Sequence, residues 1–184
     1  MKVLVVYATR HGATAGIAER IAEVLTRRGL EVTVAPAGSA GDAAAYGAYV
    51  VGGAAYMTHW LGDVTSFVKH NRRYLAHRPV WLYSSGPVGP DLTDSQGRDV
   101  RVTSEPKEWS ELRDSLQPRG TRVFFGAYDP TADPVGIVER LARHLPASVQ
   151  EQIPSGDYRD WQDIESWASD IADSLMPEPM VAAI

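Results

Sequence analysis

The residues of this chain best placed to do chemistry are Thr9, Arg10, His11, Gly12, Ala13 and Thr14. Two hydroxyls, a guanidinium and an imidazole stand around one glycine. The hydroxyls of Thr9 and Thr14 can donate to an anion, and Arg10 and His11 can add positive charge. Gly12 allows the backbone to approach closely or take a positive φ. Ile17, Ile21, Val24 and Leu25 then recur at helical spacing, with Ala18 and Ala22 filling the same face. The stretch therefore opens a helix, whose unpaired N–H groups and positive dipole end make an anion site. The alternative reading is an ordinary strand-to-helix turn with a polar loop.

The elements that must position this loop follow from the apolar pattern. Val3-Leu4-Val5-Val6 is a run of the kind buried on both faces of a parallel sheet, and predicts a strand over 2–7. A helix is expected over 13–28, with Gly29 as its C′ residue and Arg27 and Arg28 at its negative end. Residues 31–35 alternate and read as a strand nearer an edge, 42–46 as a short helix, and 48–52 as another buried strand. This β-α-β-(α)-β order predicts an α/β fold with a doubly wound parallel sheet. Further on, a helix is expected over 62–74, a strand over 79–83, and a strand over 122–128. The long polar excursion 91–120 should hold one helix over 106–116, opened by Pro106 and striped by Trp109, Leu112 and Leu116. A helical segment is expected over 135–145. The last helix opens at Asp160 with Ile164, Trp167, Ala168, Ile171 and Leu175 inward; Trp161 and Trp167 read as core. The organisation expected is one domain over 1–176 and a loose tail over 177–184.

Composition narrows the function classes. The chain has 184 residues, 44% hydrophobic and 22% charged, a globular balance. No apolar run approaches the roughly 18–20 residues that span a bilayer. The N-terminus enters a strand without a signal-like segment, which leads us to expect a cytoplasmic protein. The absence of cysteine excludes disulfides, thiol catalysis and cysteine-ligated metals. A formal net charge of −5 argues against nonspecific nucleic-acid binding. No metal-ligand set and no catalytic acid or base is nominated.

Two more stretches follow predicted strands and so fall at the carboxyl edge, where such sheets bind ligands. Residues 53–60 are small residues followed by aromatics; the former let a flat ligand approach and the latter can stack on it. Tyr56 and Trp60 can equally staple the next helix. His59 reads either as a proton donor or as a solvated loop histidine. Residues 84–89 combine hydroxyls, glycine and proline. The basic stretch Lys69, His70, Arg72 and Arg73 is either a solvated helix end or a docking patch for an acidic partner or anionic lipid.

The whole chain resembles a flavodoxin-fold protein. Its loop matches the flavodoxin phosphate loop at Thr9, Gly12 and Thr14, and departs from it by carrying Arg10 and His11 at neutral positions. The nearer likeness is to the group that includes menaquinone-dependent protoporphyrinogen IX dehydrogenase. It is carried by Tyr7, Thr9, Arg10, Gly12 and Thr14, by Phe67-Val68-Lys69, by Tyr83-Ser84 and by Gly126-Ala127. In that membrane-linked enzyme the excursion after the fourth strand is rich in Lys and Arg, whereas here it is mixed in charge.

The resemblance implies a five-stranded sheet in the order 2-1-3-4-5, helices on both faces, and bound FMN. It implies phosphate binding by Thr9, Arg10, His11, Gly12, Ala13 and Thr14. It implies flavin-ring contacts from Ala54, Ala55, Tyr56 and Met57, and from Ser84, Ser85, Gly86, Pro87 and Gly89. The function expected is an FMN-dependent oxidoreductase working with a redox partner protein, a quinone or a small substrate such as a porphyrinogen. The alternatives are an electron carrier without a small substrate, or a binding domain that has lost FMN.

Overall fold

Apolar runs too long and too unbroken for a one-sided sheet place the parallel strands at the centre of the molecule, between two layers of helices. The computed structural model describes residues 1–129, 131–133, 135 and 155–176. Its strands are β1 (Lys2–Ala8), β2 (Glu31–Pro36), β3 (Ala48–Tyr56), β4 (His59–Trp60), β5 (Val80–Ser85), β6 (Gly120–Phe124), β7 (Ala127–Tyr128) and β8 (Gly156–Asp157). Its α-helices, among the described residues, are α1 (Ala13–Arg27), α2 (Gly62–Leu75), α3 (Val100–Thr103), α4 (Glu108–Leu116) and α5 (Trp161–Leu175).

Among the described residues the main sheet has six strands, in the order β2-β1-β3-β5-β6, with β4 pairing antiparallel to β3 off that path. This corrects the expected five strands in the order 2-1-3-4-5. The sequence reading ended the third strand at 52, but β3 continues to Tyr56 and folds back through Met57 and Thr58 into β4. Two-residue hairpin turns are ordinarily marked by Asn-Gly or Gly. Here Met57 (φ 51) and Thr58 (φ 63) take the left-handed conformation without that mark. The last expected strand, 122–128, is also divided. β6 ends at Phe124, while β7 leaves the sheet to pair with β8.

Alternation along the strands fills two cores. Val3, Val5, Val50, Trp81, Tyr83 and Phe124 pack under α1 and α5. Leu4, Val6, Tyr49, Val51, Leu82 and Val123 pack under α2 and α4. Tyr83 fills the space over Gly52, where a Cβ would lie 2.1 Å from its ring. Gly29, at φ 87, ends α1 as expected, and α5 is capped by Asp160, which accepts from the Asp163 N–H at 3.0 Å.

The excursion holds two helices rather than one. Asp99 caps the short α3, and α4 begins at Glu108 with Trp109 fully buried. The helical segment expected over 135–145, Val135 apart, and the tail 177–184 lie outside the described residues. No helix among the described residues is long and apolar enough to cross a membrane.

Candidate functional site

β1 delivers the chain to Thr9, whose hydroxyl oxygen accepts from the Gly12 N–H at 3.0 Å and folds the loop. Gly12, at φ 82, occupies the N-cap of α1, and no side chain among the described residues caps that helix. The Gly12 carbonyl accepts from Gly16 N–H at 3.1 Å and starts the helix. The N–H groups of Ala13, Thr14 and Ala15 therefore have no acceptor within the helix. Thr14 points inward: it is 1% exposed, and its hydroxyl shares a 2.8 Å hydrogen bond with the Ser85 hydroxyl. Arg10 turns toward the neighbouring loop, where its guanidinium carbon lies 4.2 Å from the centre of the Tyr56 ring. His11 is exposed and near Asp129. Bonds from the Thr131 side chain and backbone, and lastly the field of His11, hold the Asp129 carboxyl below the usual range.

The second stretch is a strand end and hairpin rather than a loop. Ala54 is buried and Ala55 half-buried, while Tyr56 is 36% and Met57 88% exposed. The small residues before them serve the protein's own packing. A Cβ on Gly53 would come within 2.8 Å of Val64, as one on Gly52 would collide with Tyr83. His59 is exposed, and Trp60 is buried in the core under α2. Both are tied to Glu108. Its Oε1 lies 2.9 Å from His59 Nδ1, and its Oε2 accepts from the Trp60 N–H at 3.2 Å. Burial alone would raise the Glu108 pKa. The hydrogen bonds from His59 and from the backbone N–H groups of Glu108 and Trp60 outweigh burial and hold it below the usual range.

In the third stretch the hydroxyls turn into the sheet. Ser84 donates to the Gly53 carbonyl at 3.2 Å, and Ser85 faces Thr14 on the opposite side. Gly86 is exposed and close-fitting: a Cβ there would sit 3.2 Å from the Ala55 carbonyl oxygen. Pro87 is buried and its carbonyl accepts from Gly126 N–H at 2.8 Å; Gly89 takes φ 119. The second and third stretches therefore meet at Ala55 and Gly86, and the first and second meet at Arg10 and Tyr56.

One neighbour of the site escaped the sequence reading. Arg159 donates to the Ala13 carbonyl at 3.2 Å, forks onto Asp157 through Nε (2.8 Å) and Nη2 (2.6 Å), and lies over Trp161. It brings a second guanidinium beside the first turn of α1. No local spacing signals it, because it lies 146 residues from Ala13.

The donor set suits a phosphate ester on a flat ring system. Helix-end N–H groups and Arg10 offer charge-assisted bonds to a dianion. Tyr56, beside them, offers an aromatic surface. The flavodoxin domain model matches residues 4–152. The chain belongs to the flavodoxin domain family. Membership in that family supports FMN binding and flavin-mediated electron transfer.

No curated protein matches this chain. Among solved structures, it is similar to a cysteine-to-serine mutant of flavodoxin from Pseudomonas aeruginosa, at 18% identity and TM-score 0.58, covering 95% of this chain and 99% of that one. It is similar to oxidised flavodoxin 1 from Bacillus cereus, at 15% identity and TM-score 0.56, covering 96% and 100%. It is also similar to rubredoxin oxygen:oxidoreductase from Desulfovibrio gigas, at 12% identity and TM-score 0.56, where 95% of this chain spans 36% of that one. At these identities the likeness is one of fold. The family and these structures do not separate the protoporphyrinogen dehydrogenase group from other flavodoxin-fold proteins.

Proposed function

We propose that this chain is an FMN-dependent oxidoreductase whose cofactor site is the edge formed by residues 9–14, 54–57 and 84–89. The observation that carries this reading is the position of Arg10 over Tyr56, beside the N-terminus of α1. It joins the charge a phosphate needs to the aromatic surface a flavin needs. Arg10 lies over the ring, and its guanidinium N–H donors suit the edge of a phosphate.

Each residue has a stated part. Ala13 and Thr14 supply backbone N–H groups to the phosphate, Gly12 makes the turn and gives its own N–H to the Thr9 hydroxyl, and Arg10 and His11 add charge. Tyr56 and Met57 flank the ring, with Ala54 and Ala55 forming the strand end behind them. Gly86 offers its backbone along the polar edge, and Pro87 and Gly89 shape the turn behind it. Ser84 and Ser85 act from within, fixing β5 to β3 and to α1. When bound, FMN supplies the electron or hydride transfer; the protein binds it, orients it and restricts water around it.

The electron acceptor or donor is proposed to be a quinone, a porphyrinogen or a redox partner protein. A second reading, an electron carrier with no small substrate, rests on the full-length likeness to the Pseudomonas aeruginosa flavodoxin. Titration of FMN into flavin-free protein tests the cofactor. Binding with quenched flavin fluorescence is expected, and no binding at tens of micromolar FMN refutes both redox readings. Direct turnover of a porphyrinogen or quinol by the loaded protein separates the enzyme from the carrier.

A further inference from the structure

The excursion between β5 and β6 grips the hairpin that carries Tyr56 and Met57. The grip has three adjoining parts. Lys107 N–H donates to the Thr58 carbonyl at 2.9 Å. Glu108 bonds His59 and the Trp60 N–H with its two carboxylate oxygens, at 2.9 and 3.2 Å. Trp109, fully buried, meets Trp60 edge-on with ring centres 5.7 Å apart.

What the grip holds is a turn whose two central residues are in an unfavourable backbone conformation. Met57 and Thr58 both sit at positive φ, 51 and 63, where side chains are disfavoured. Neither residue is the glycine or asparagine that such a turn prefers. Strained backbone of this kind persists where its surroundings over-determine it. Glu108 is the polar centre of those surroundings, since its two carboxylate oxygens close on two donors of β4.

We infer that Glu108 is a positioning residue: its carboxylate holds the 57–58 turn in shape and thereby sets Tyr56 and Met57 against the flavin ring. This rests on the FMN reading of the site. A merely structural role, an acidic residue favouring the first turn of α4, would predict lost stability and nothing more.

The test is to titrate riboflavin and FMN into the flavin-free wild type, Glu108→Ala, Glu108→Gln, and Glu108→Ala combined with Thr58→Gly. Glu108→Ala should weaken both flavins by the same factor, roughly tenfold for a lost charge-assisted bond, because the ring side of the site is disturbed and the phosphate side is not. Thr58→Gly should restore much of the loss, since glycine takes the positive φ unaided. Glu108→Gln keeps an acceptor for one of the two donors and should fall between; it carries the test if the alanine variant does not fold. Unchanged riboflavin affinity in Glu108→Ala or Glu108→Gln, or a lower thermal midpoint with no rescue by Thr58→Gly, overturns the inference while FMN binding stands. A wild type that binds neither flavin refutes the FMN reading and takes the inference with it.

Discussion

The Thr14–Ser85 bond makes a prediction that can be worked through from the structure. The two residues are 1% and 3% exposed, and their hydroxyls lie 2.8 Å apart between α1 and β5. Neither hydroxyl can turn to water if its partner is removed. Thr14→Val keeps the side-chain shape but orphans the Ser85 hydroxyl; Ser85→Ala does the reverse. An orphaned buried hydroxyl costs about 1–3 kcal/mol. The double variant leaves no orphan, so it should cost less than the sum of the two, with a coupling of about 1–2 kcal/mol for groups in direct contact. Urea unfolding of the flavin-free protein, followed by tryptophan fluorescence, measures all four corners of the cycle. In a domain of this size each ~1 kcal/mol also moves the thermal midpoint by roughly 2–4 °C. Losses that add to within about 0.3–0.5 kcal/mol would refute the bond. The same variants locate the hydroxyl functionally. Because Ser85 engages it, Thr14→Val should change FMN and riboflavin affinities by one common factor. A loss confined to FMN would place the hydroxyl on the phosphate.

Arg10→Met should weaken FMN by about ten- to a hundredfold and riboflavin far less, as expected for a charged hydrogen bond to phosphate; equal losses by calorimetry would assign Arg10 to the ring alone. Gly52→Ala should cost more than about 3 kcal/mol in urea unfolding, because the new Cβ would lie 2.1–2.3 Å from the buried Tyr83 ring. Adding Tyr83→Leu should recover part of that loss, and a Gly52→Ala protein as stable as wild type would show that the ring can move. The Glu108 carboxyl sits below its ordinary value of 4.5, so its contribution to stability is present above that pH and is lost as pH falls through the folded-state pKa. Thermal midpoints against pH should therefore fall less steeply below about 4.5 in Glu108→Gln than in wild type; parallel curves would show that the carboxylate adds nothing pH-dependent.

Much of the frame was legible because burial on both faces writes itself as continuous apolar runs such as 3–6 and 48–51. The boundaries of α1 were legible for a related reason, periodicity ended by Gly29. The hairpin was not, since Met57-Thr58 carries no turn chemistry and the small residues before it look like a loop. In fact their smallness accommodates Tyr83 and Val64. Ser84 and Ser85 illustrate a different limit. A sequence names hydroxyls but not their directions, and strand alternation sends these two to opposite faces of β5. Glu108 and Arg159 were illegible as site neighbours because their partners lie 48 and 146 residues away. Contacts at such separations exist only once the sheet has assembled.

Tyr83 crosses bare backbone at Gly52 and ends with its hydroxyl 3.5 Å from the Val6 carbonyl of β1. Such a pair gives the history of the chain a direction. A lineage can trim the ring at position 83 first and afterwards enlarge position 52, passing only through a loosened core. The opposite order passes through an ancestor in which a methyl group and an aromatic ring claim the same space. Drift at the two positions is therefore ordered as well as coupled. Among descendants of this sequence, a side chain at 52 should always accompany a smaller residue at 83, while a smaller residue at 83 can stand with glycine still in place.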